Sequence, residues 1–274
     1  MENNVTDEVY NHLESYSKYI KLSRYLILQP LFLTPTSQKL SLERGAQMPP
    51  ELIGTEIVIK TLVVFFHHDF KKIMDSKEEK ISGFEMECAT FFLSRSVLMC
   101  NEPSVNNFML VTAFMSFLIY NYVTHSKCFR ILHVCEYCFA VLFKRVFSIV
   151  FMADEDYEKL RLFCDEFVEH LTTDSMLNDL GNTPVIKNYM NLVNNCINGG
   201  DNSFSLSDYE VDRFESQYSK DMCLYFNESE ISVEMEECTD TYIEIYEDNG
   251  RLLCARCYGK CYIFLAFINE FRKK

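Results

Sequence analysis

The chain contains no tryptophan and is short of positive charge. Its 274 residues carry 26 Lys and Arg against 40 Asp and Glu, a net charge of −14. Proteins that follow a phosphate backbone neutralise it with clustered cations, so no nucleic-acid partner is expected. An anionic bilayer would also repel the chain as a whole. A glycine-rich phosphate loop and a Gly-x-Ser-x-Gly nucleophile elbow are both absent, which removes two common enzyme signatures. The opening residues Met1-Glu2-Asn3-Asn4 lack the basic and apolar regions of a secretory leader. Neither end carries a myristoylation or prenylation motif. These absences predict a cytosolic or nuclear protein with no lipid anchor of its own.

What the chain does have is apolar sequence. Hydrophobic residues make up 48% and charged residues 24%, an ordinary globular balance in a chain long enough to bury a core. The densest stretch runs from Phe84 to Met152. Phe108 to Tyr120 has the length of a buried core helix, because a bilayer span needs roughly 20 apolar residues. Asn106, Asn107 and Asn121 bracket it. The run from Phe139 to Met152 holds Lys144 and Arg145 at its middle, where charge is costly in lipid. Buried helices are therefore expected, not spans. Twelve cysteines scattered through these runs read as reduced thiols packed like small hydrophobes.

The expected fold class is α+β, a single domain over residues 1–274. A helical core occupies about 84–198, a loop 199–203, and an acidic segment with a C-terminal hairpin and apolar segment 204–274. Residues 1–23 repeat Val9, Leu13, Tyr16 and Ile20 at helical spacing. Tyr25 to Leu33 reads as an edge strand interrupted by Pro30. Glu56 to Phe66 is rich in β-branched residues and reads as a buried strand, with a helix through His67 and His68 as the alternative. Ser82 with Glu85 forms a capping box, Ser104 opens a helix after Pro103, and Pro184 starts another. Asp154-Glu155-Asp156 suits a helix N-terminus. Asn249-Gly250 is a hairpin signal between Thr241–Tyr246 and Arg251–Cys254.

Candidate chemistry is sparse. Cys254, Cys257 and Cys261 have the tight spacing of a zinc knuckle, with Cys223 or Cys238 as a possible fourth ligand. Cys135 and Cys138 form a C-x-x-C, the pair used by thiol oxidoreductases, including flavin-linked sulfhydryl oxidases. Here the pair falls inside a long apolar stripe, away from the helix N-terminus that would lower a thiol pKa. Core packing is the simpler role for both groups. His67-His68-Asp69 offers adjacent imidazoles whose side chains diverge on either a strand or a helix. The acidic run from Glu228 to Glu237 lacks the glycine and ligand register of a calcium loop. No catalytic residue, bound cofactor or metal is expected from these patterns.

Four blocks carry a resemblance. The first is Lys60-Thr61-Leu62-Val63-Val64-Phe65-Phe66-His67-His68-Asp69-Phe70. The second is Gly83-Phe84-Glu85-Met86-Glu87-Cys88 with Phe91-Phe92-Leu93. The third is Pro103-Ser104 leading to Phe108 and Phe117-Leu118. The fourth is Phe129 to Cys138, continuing through Phe147 to Met152. In order and spacing, over roughly residues 60 to 170, they resemble the herpesvirus cytoplasmic envelopment protein 1 family of small tegument proteins. The resemblance implies a compact mixed α/β domain without enzymatic activity. It implies a heteromeric complex with a palmitoylated tegument protein, acting at Golgi-derived membranes in the host cytoplasm during secondary envelopment and egress. The family supplies no catalytic residues. Two apolar segments are the expected partner contacts: Tyr25, Leu26, Leu28, Leu31 and Phe32 near the N-terminus, and Tyr262, Leu265 and Ile268 near the C-terminus.

Overall fold

Helical periodicity, not β alternation, governs the described residues of the N-terminal third. The computed structural model describes residues 3–30, 53–76, 85–126, 130–172, 180–199, 204–224, 245–248 and 251–254. Helix α1 spans Asn3–Leu28. Its buried residues Tyr19, Leu22, Ser23, Leu26 and Ile27 recur at i, i+3, i+4, i+7 and i+8, one stripe of a 3.6-residue repeat. Tyr25 to Leu28 simply extends that stripe. Pro30 lies in the short 3-10 turn after the helix, where a missing N–H costs little. The expected edge strand is therefore corrected over its described part, which is the last turn of α1 and the 3-10 turn after it, while residues 31–33 lie outside the described residues.

The second expected strand is also a helix. Helix α2 spans Ile53–Phe65, and α3 spans His67–Asp75. Thr55, Val58, Ile59, Leu62 and Phe66 are buried at the same helical spacing. The β-branched residues there cost a few tenths of a kcal/mol each in helix propensity, far less than their burial returns. Phe66 is a joint between the two helices, not a stop. Its amide donates to the Leu62 carbonyl at 2.9 Å, and its carbonyl accepts from the Phe70 amide at 2.8 Å.

The described part of the stretch from 84 to 152 is mainly helical, but its third helix ends at Arg145 and not near Met152, giving way to a 3-10 turn at Phe147–Ile149. Helix α4 covers Glu85–Leu98, α5 Val105–Ser126 and α6 Arg130–Arg145. Ser104 caps α5, its Oγ accepting from the Asn107 amide at 3.2 Å. The Ser82 half of the expected capping box lies outside the described residues. Every residue of α6 from Arg130 to Phe143 is buried, as is α5 from Asn107 to Ile119. A helix apolar on all sides must be wrapped on all sides. Residues Val105–Thr124 have the length and composition of a membrane span, yet 83% of that window is buried inside the protein.

Three further helices complete the array. Helix α7 is Asp154–Thr172, α8 Pro184–Asn198 and α9 Asp208–Leu224. The Asp156 carboxylate accepts from the amides of Met152 and Ala153 at 3.0 and 2.9 Å, closing the N-terminus of α7. Thr183 caps α8 by accepting from the Ile186 amide at 3.3 Å, with Pro184 at the first position. Helix α5 packs against α1 to α4 and α6 to α8, which makes it the axis of the molecule. Tyr19 of α1 reaches in among Phe108, Phe139, Phe143 and Phe151. The buried apolar residues form one cluster from Tyr19 to Phe214, so it extends beyond 84–198 on both sides.

The α+β assignment is thus corrected to a mainly helical fold. A short ladder pairs β1, Ile245–Asp248, with β2, Arg251–Cys254, in antiparallel register. Four residues a side do not make a β layer, and the core is built by helix packing. Helix α9, inside the acidic segment, was hidden by its own charge: it has few apolar positions with which to show a period.

Candidate functional site

The C-x-x-C pair sits on α6 among other thiols. Cys135 and Cys138 are both fully buried. Burial pushes each thiol well above its ordinary pKa, and neighbouring Cys88 of α4 adds to the effect. Cys88 itself is pushed up to about 12, again by burial. The Cys138 Sγ points at the Ala89 carbonyl, 3.7 Å away. All three are thiols, not disulfides. A thiol attacks as its thiolate, so this arrangement suppresses nucleophilic and redox chemistry. It serves as the packing seam between α4 and α6.

Helix α6 also buries a polar row at Arg130, His133 and Glu136. The spacing of three places them on one face. Arg130 donates from Nε to the Tyr122 hydroxyl and lies over the same ring, 5.3 Å from its centroid. Glu136 is ion-paired with Arg24 of α1. The His133 ring lies 5.5 Å from that of Phe214 on α9. Each group is turned to a neighbouring helix. The row fixes the register of α1, α5 and α9 on α6 and has the character of a structural network.

His67 and His68 are both exposed at the start of α3. His67 sets its edge against Phe117 at 5.3 Å. Among the described residues no group of three His, Cys, Asp or Glu is placed to hold a metal. Cys254 ends β2, and Cys257 and Cys261 lie outside the described residues, as do Cys238 and the acidic run 228–237.

The expected contact residues separate. Leu26 is fully buried in the core and serves packing. Tyr25 is half-buried, and burial pushes its hydroxyl up to about 12, with the Glu56 carboxylate adding to the shift. Leu28 closes α1. Leu31, Phe32, Tyr262, Leu265 and Ile268 lie outside the described residues.

Sequence reading did not find the apolar residues that the fold leaves in solvent. Ile57 and Val64 on α2 are 41% and 61% exposed. They lie seven residues apart, on the face opposite Val58 and Leu62. Ile149 and Met152, after α6, are 67% and 63% exposed. Their turn is held firmly: Phe147 and Phe151 are buried against Phe108, and the Met152 carbonyl accepts from the Ser15 hydroxyl at 2.8 Å. The signal for α2 was its apolar excess beyond a single stripe.

Neither a family model, nor a curated protein, nor a solved structure matches the chain.

Proposed function

We propose that the chain is a non-enzymatic tegument adaptor of a herpesvirus particle. It forms a complex with a palmitoylated tegument protein and promotes secondary envelopment and egress at Golgi-derived membranes in the host cytoplasm. The observation that carries this reading is the ordered set of four sequence blocks between Lys60 and Met152. The described residues of those blocks fall on α2 to α6 and the turn after α6, elements that supply much of the buried core. Interior helices preserve ancestry through packing, and surface residues set the partner. The net charge of −14 favours a partner with basic surface. Palmitoylation of that partner would provide the membrane attachment.

The rival reading is a flavin-linked sulfhydryl oxidase using Cys135 and Cys138. Full burial of both thiols and their raised pKa values weigh against it. Co-expression with the palmitoylated tegument protein of the same virus tests the adaptor. Co-elution on size exclusion in mild salt is expected, and separate elution would remove the reading. The oxidase predicts a yellow protein that consumes oxygen with a dithiol. A colourless protein without that consumption eliminates it.

A further inference from the structure

We propose that α9 is a releasable strap: it undocks from α1 and α6 and unfolds as one unit while the body built on α1 to α8 stays intact. The geometry begins at Glu210. Its carboxylate takes two hydrogen bonds from Arg145 at the end of α6, from Nε at 2.8 Å and from Nη2. The same carboxylate accepts from the Ser207 amide at 2.9 Å and from its hydroxyl at 3.0 Å, while the Glu210 amide donates back to Ser207 Oγ at 3.4 Å. That is a capping box. One side chain therefore both starts the helix and docks it. Losing the grip on Arg145 disturbs the cap, and losing the cap misplaces the grip.

The remaining anchors lie close by. The Tyr137 hydroxyl donates to the Glu210 carbonyl at 2.9 Å. Arg213 donates to the Tyr16 hydroxyl at 2.7 Å. Phe214 sits on Tyr137 at 4.8 Å and on His133 at 5.5 Å. Over residues 208–216 apolar anchorage is thin by comparison with α8. Among the described residues of α9, Glu210 and Phe214 are the buried ones, whereas α8 buries Ile186, Tyr189, Leu192, Val193 and Cys196. Polar anchors of this kind are directional and fail together, while apolar burial declines gradually.

Once undocked, α9 has little reason to remain helical. It is 17 residues long, little beyond the length of about 12–15 below which even Ala-rich helices are marginal in water, and its Asp, Ser and Tyr residues are weaker helix formers than Ala. The body keeps its own axis in α5, packed against α1 to α4 and α6 to α8. Release uncovers the aromatic seat formed by Tyr16, His133 and Tyr137.

Hydrogen–deuterium exchange of the full chain, read by peptide mass spectrometry, tests this. Amides of residues 208–216 should exchange well before those of α5 and α6. Arg145→Ala removes a charge-assisted pair at an exposed side chain and should speed exchange in 208–216 roughly tenfold. The amides of α5 should change less than about twofold. Tyr137→Phe, which deletes one hydroxyl from the seat, should act on the same amides and more weakly. Equal protection of α9 and α5 in the parent chain would overturn the proposal. So would an Arg145→Ala effect that spreads evenly over α5 and α6.

Discussion

Arg24 of α1 and Glu136 of α6 form an ion pair across 112 residues of chain. The pair is asymmetric: the Glu136 side chain is 7% exposed and that of Arg24 33%. Glu136 is buried at the middle of α6, and a carboxylate there is tolerated only with a partner. The pair sets the rotation of α1 on α6 and places Tyr19 among the core phenylalanines.

Breaking that pair from one side should be costly. Arg24→Ala leaves the Glu136 carboxylate buried with its main cation gone. A loss of about 2 kcal/mol is expected, discounted from the 3–5 of a fully buried pair because Arg24 is partly in water. The double change Arg24→Met with Glu136→Leu should lose less, because no buried charge is stranded. Urea midpoints of the three proteins decide this. A double variant less stable than Arg24→Ala would refute it.

Gly54 permits the approach of α2 to α7. A Cβ at this position would stand 2.9 Å from the Cβ of Cys164 and 3.6 Å from its carbonyl carbon. Neither atom is the far end of a flexible side chain, so the helices must separate. Alanine gains about 1 kcal/mol of helix propensity over glycine, but overpacking of this kind costs about 1–3 kcal/mol. Gly54→Ala should therefore lower the thermal midpoint. A rise would show that α2 and α7 can part without penalty.

The parts of the fold that were legible share one property: they are written in local chemistry. Ser104, Pro184 and the acidic start of α7 are helix-start signals that act within four residues. The enclosed helices announced themselves by apolar runs too long for strands. The N-terminal third was misread because Tyr25 to Leu33 and Glu56 to Phe66 were judged by residue type, although their buried positions keep a spacing of three and four. Helix α9 carries a local start signal in Ser207 and Glu210 that went unread, whereas its docking on Arg145 and Tyr137, more than sixty residues away, is not written locally. Exposure of Ile57, Val64, Ile149 and Met152 is a property of the packed whole.

Acid should weaken the structure through two carboxylates. Partial burial pushes Glu210 up, but hydrogen bonds from Arg145 and Ser207 outweigh it, and its pKa falls below the ordinary 4.5. Burial likewise pushes Asp156 up, and hydrogen bonds from Lys159 and from the Ala153 and Met152 amides overcome it, below the ordinary 3.8. Depressed folded values mean that the unfolded chain binds protons first. Their contribution is fully present above the unfolded pKa values and is lost as pH falls through the folded ones. Urea unfolding should show declining stability below about pH 4.5, and Glu210→Gln should flatten that decline. An unchanged slope in the variant would count against the role of Glu210.

Base should act through the thiols, with the opposite sign. Cys88, Cys100 and Cys164 are each pushed up to about 12 by burial, and Cys196 to about 11, from an ordinary 9.0. Cys135 and Cys138 are also raised well above the ordinary value, chiefly by burial. A raised folded value means that the unfolded chain loses its proton first. The stabilisation is complete below the unfolded pKa and disappears as pH rises through the folded one. Each such thiol steepens the loss above pH 9 by up to about 1.4 kcal/mol per pH unit. Stability should therefore fall sharply between pH 9 and 11, and Cys-to-Ala changes at Cys135 or Cys138 should make the fall shallower even where they lower stability at neutral pH. The same burial predicts that iodoacetamide at pH 8 leaves these six thiols unmodified in the native protein and alkylates them in urea. Peptide mapping reads both arms. Rapid native alkylation of Cys135 or Cys138 would show that α6 opens to solvent, and would restore the thiol chemistry that its burial now argues against.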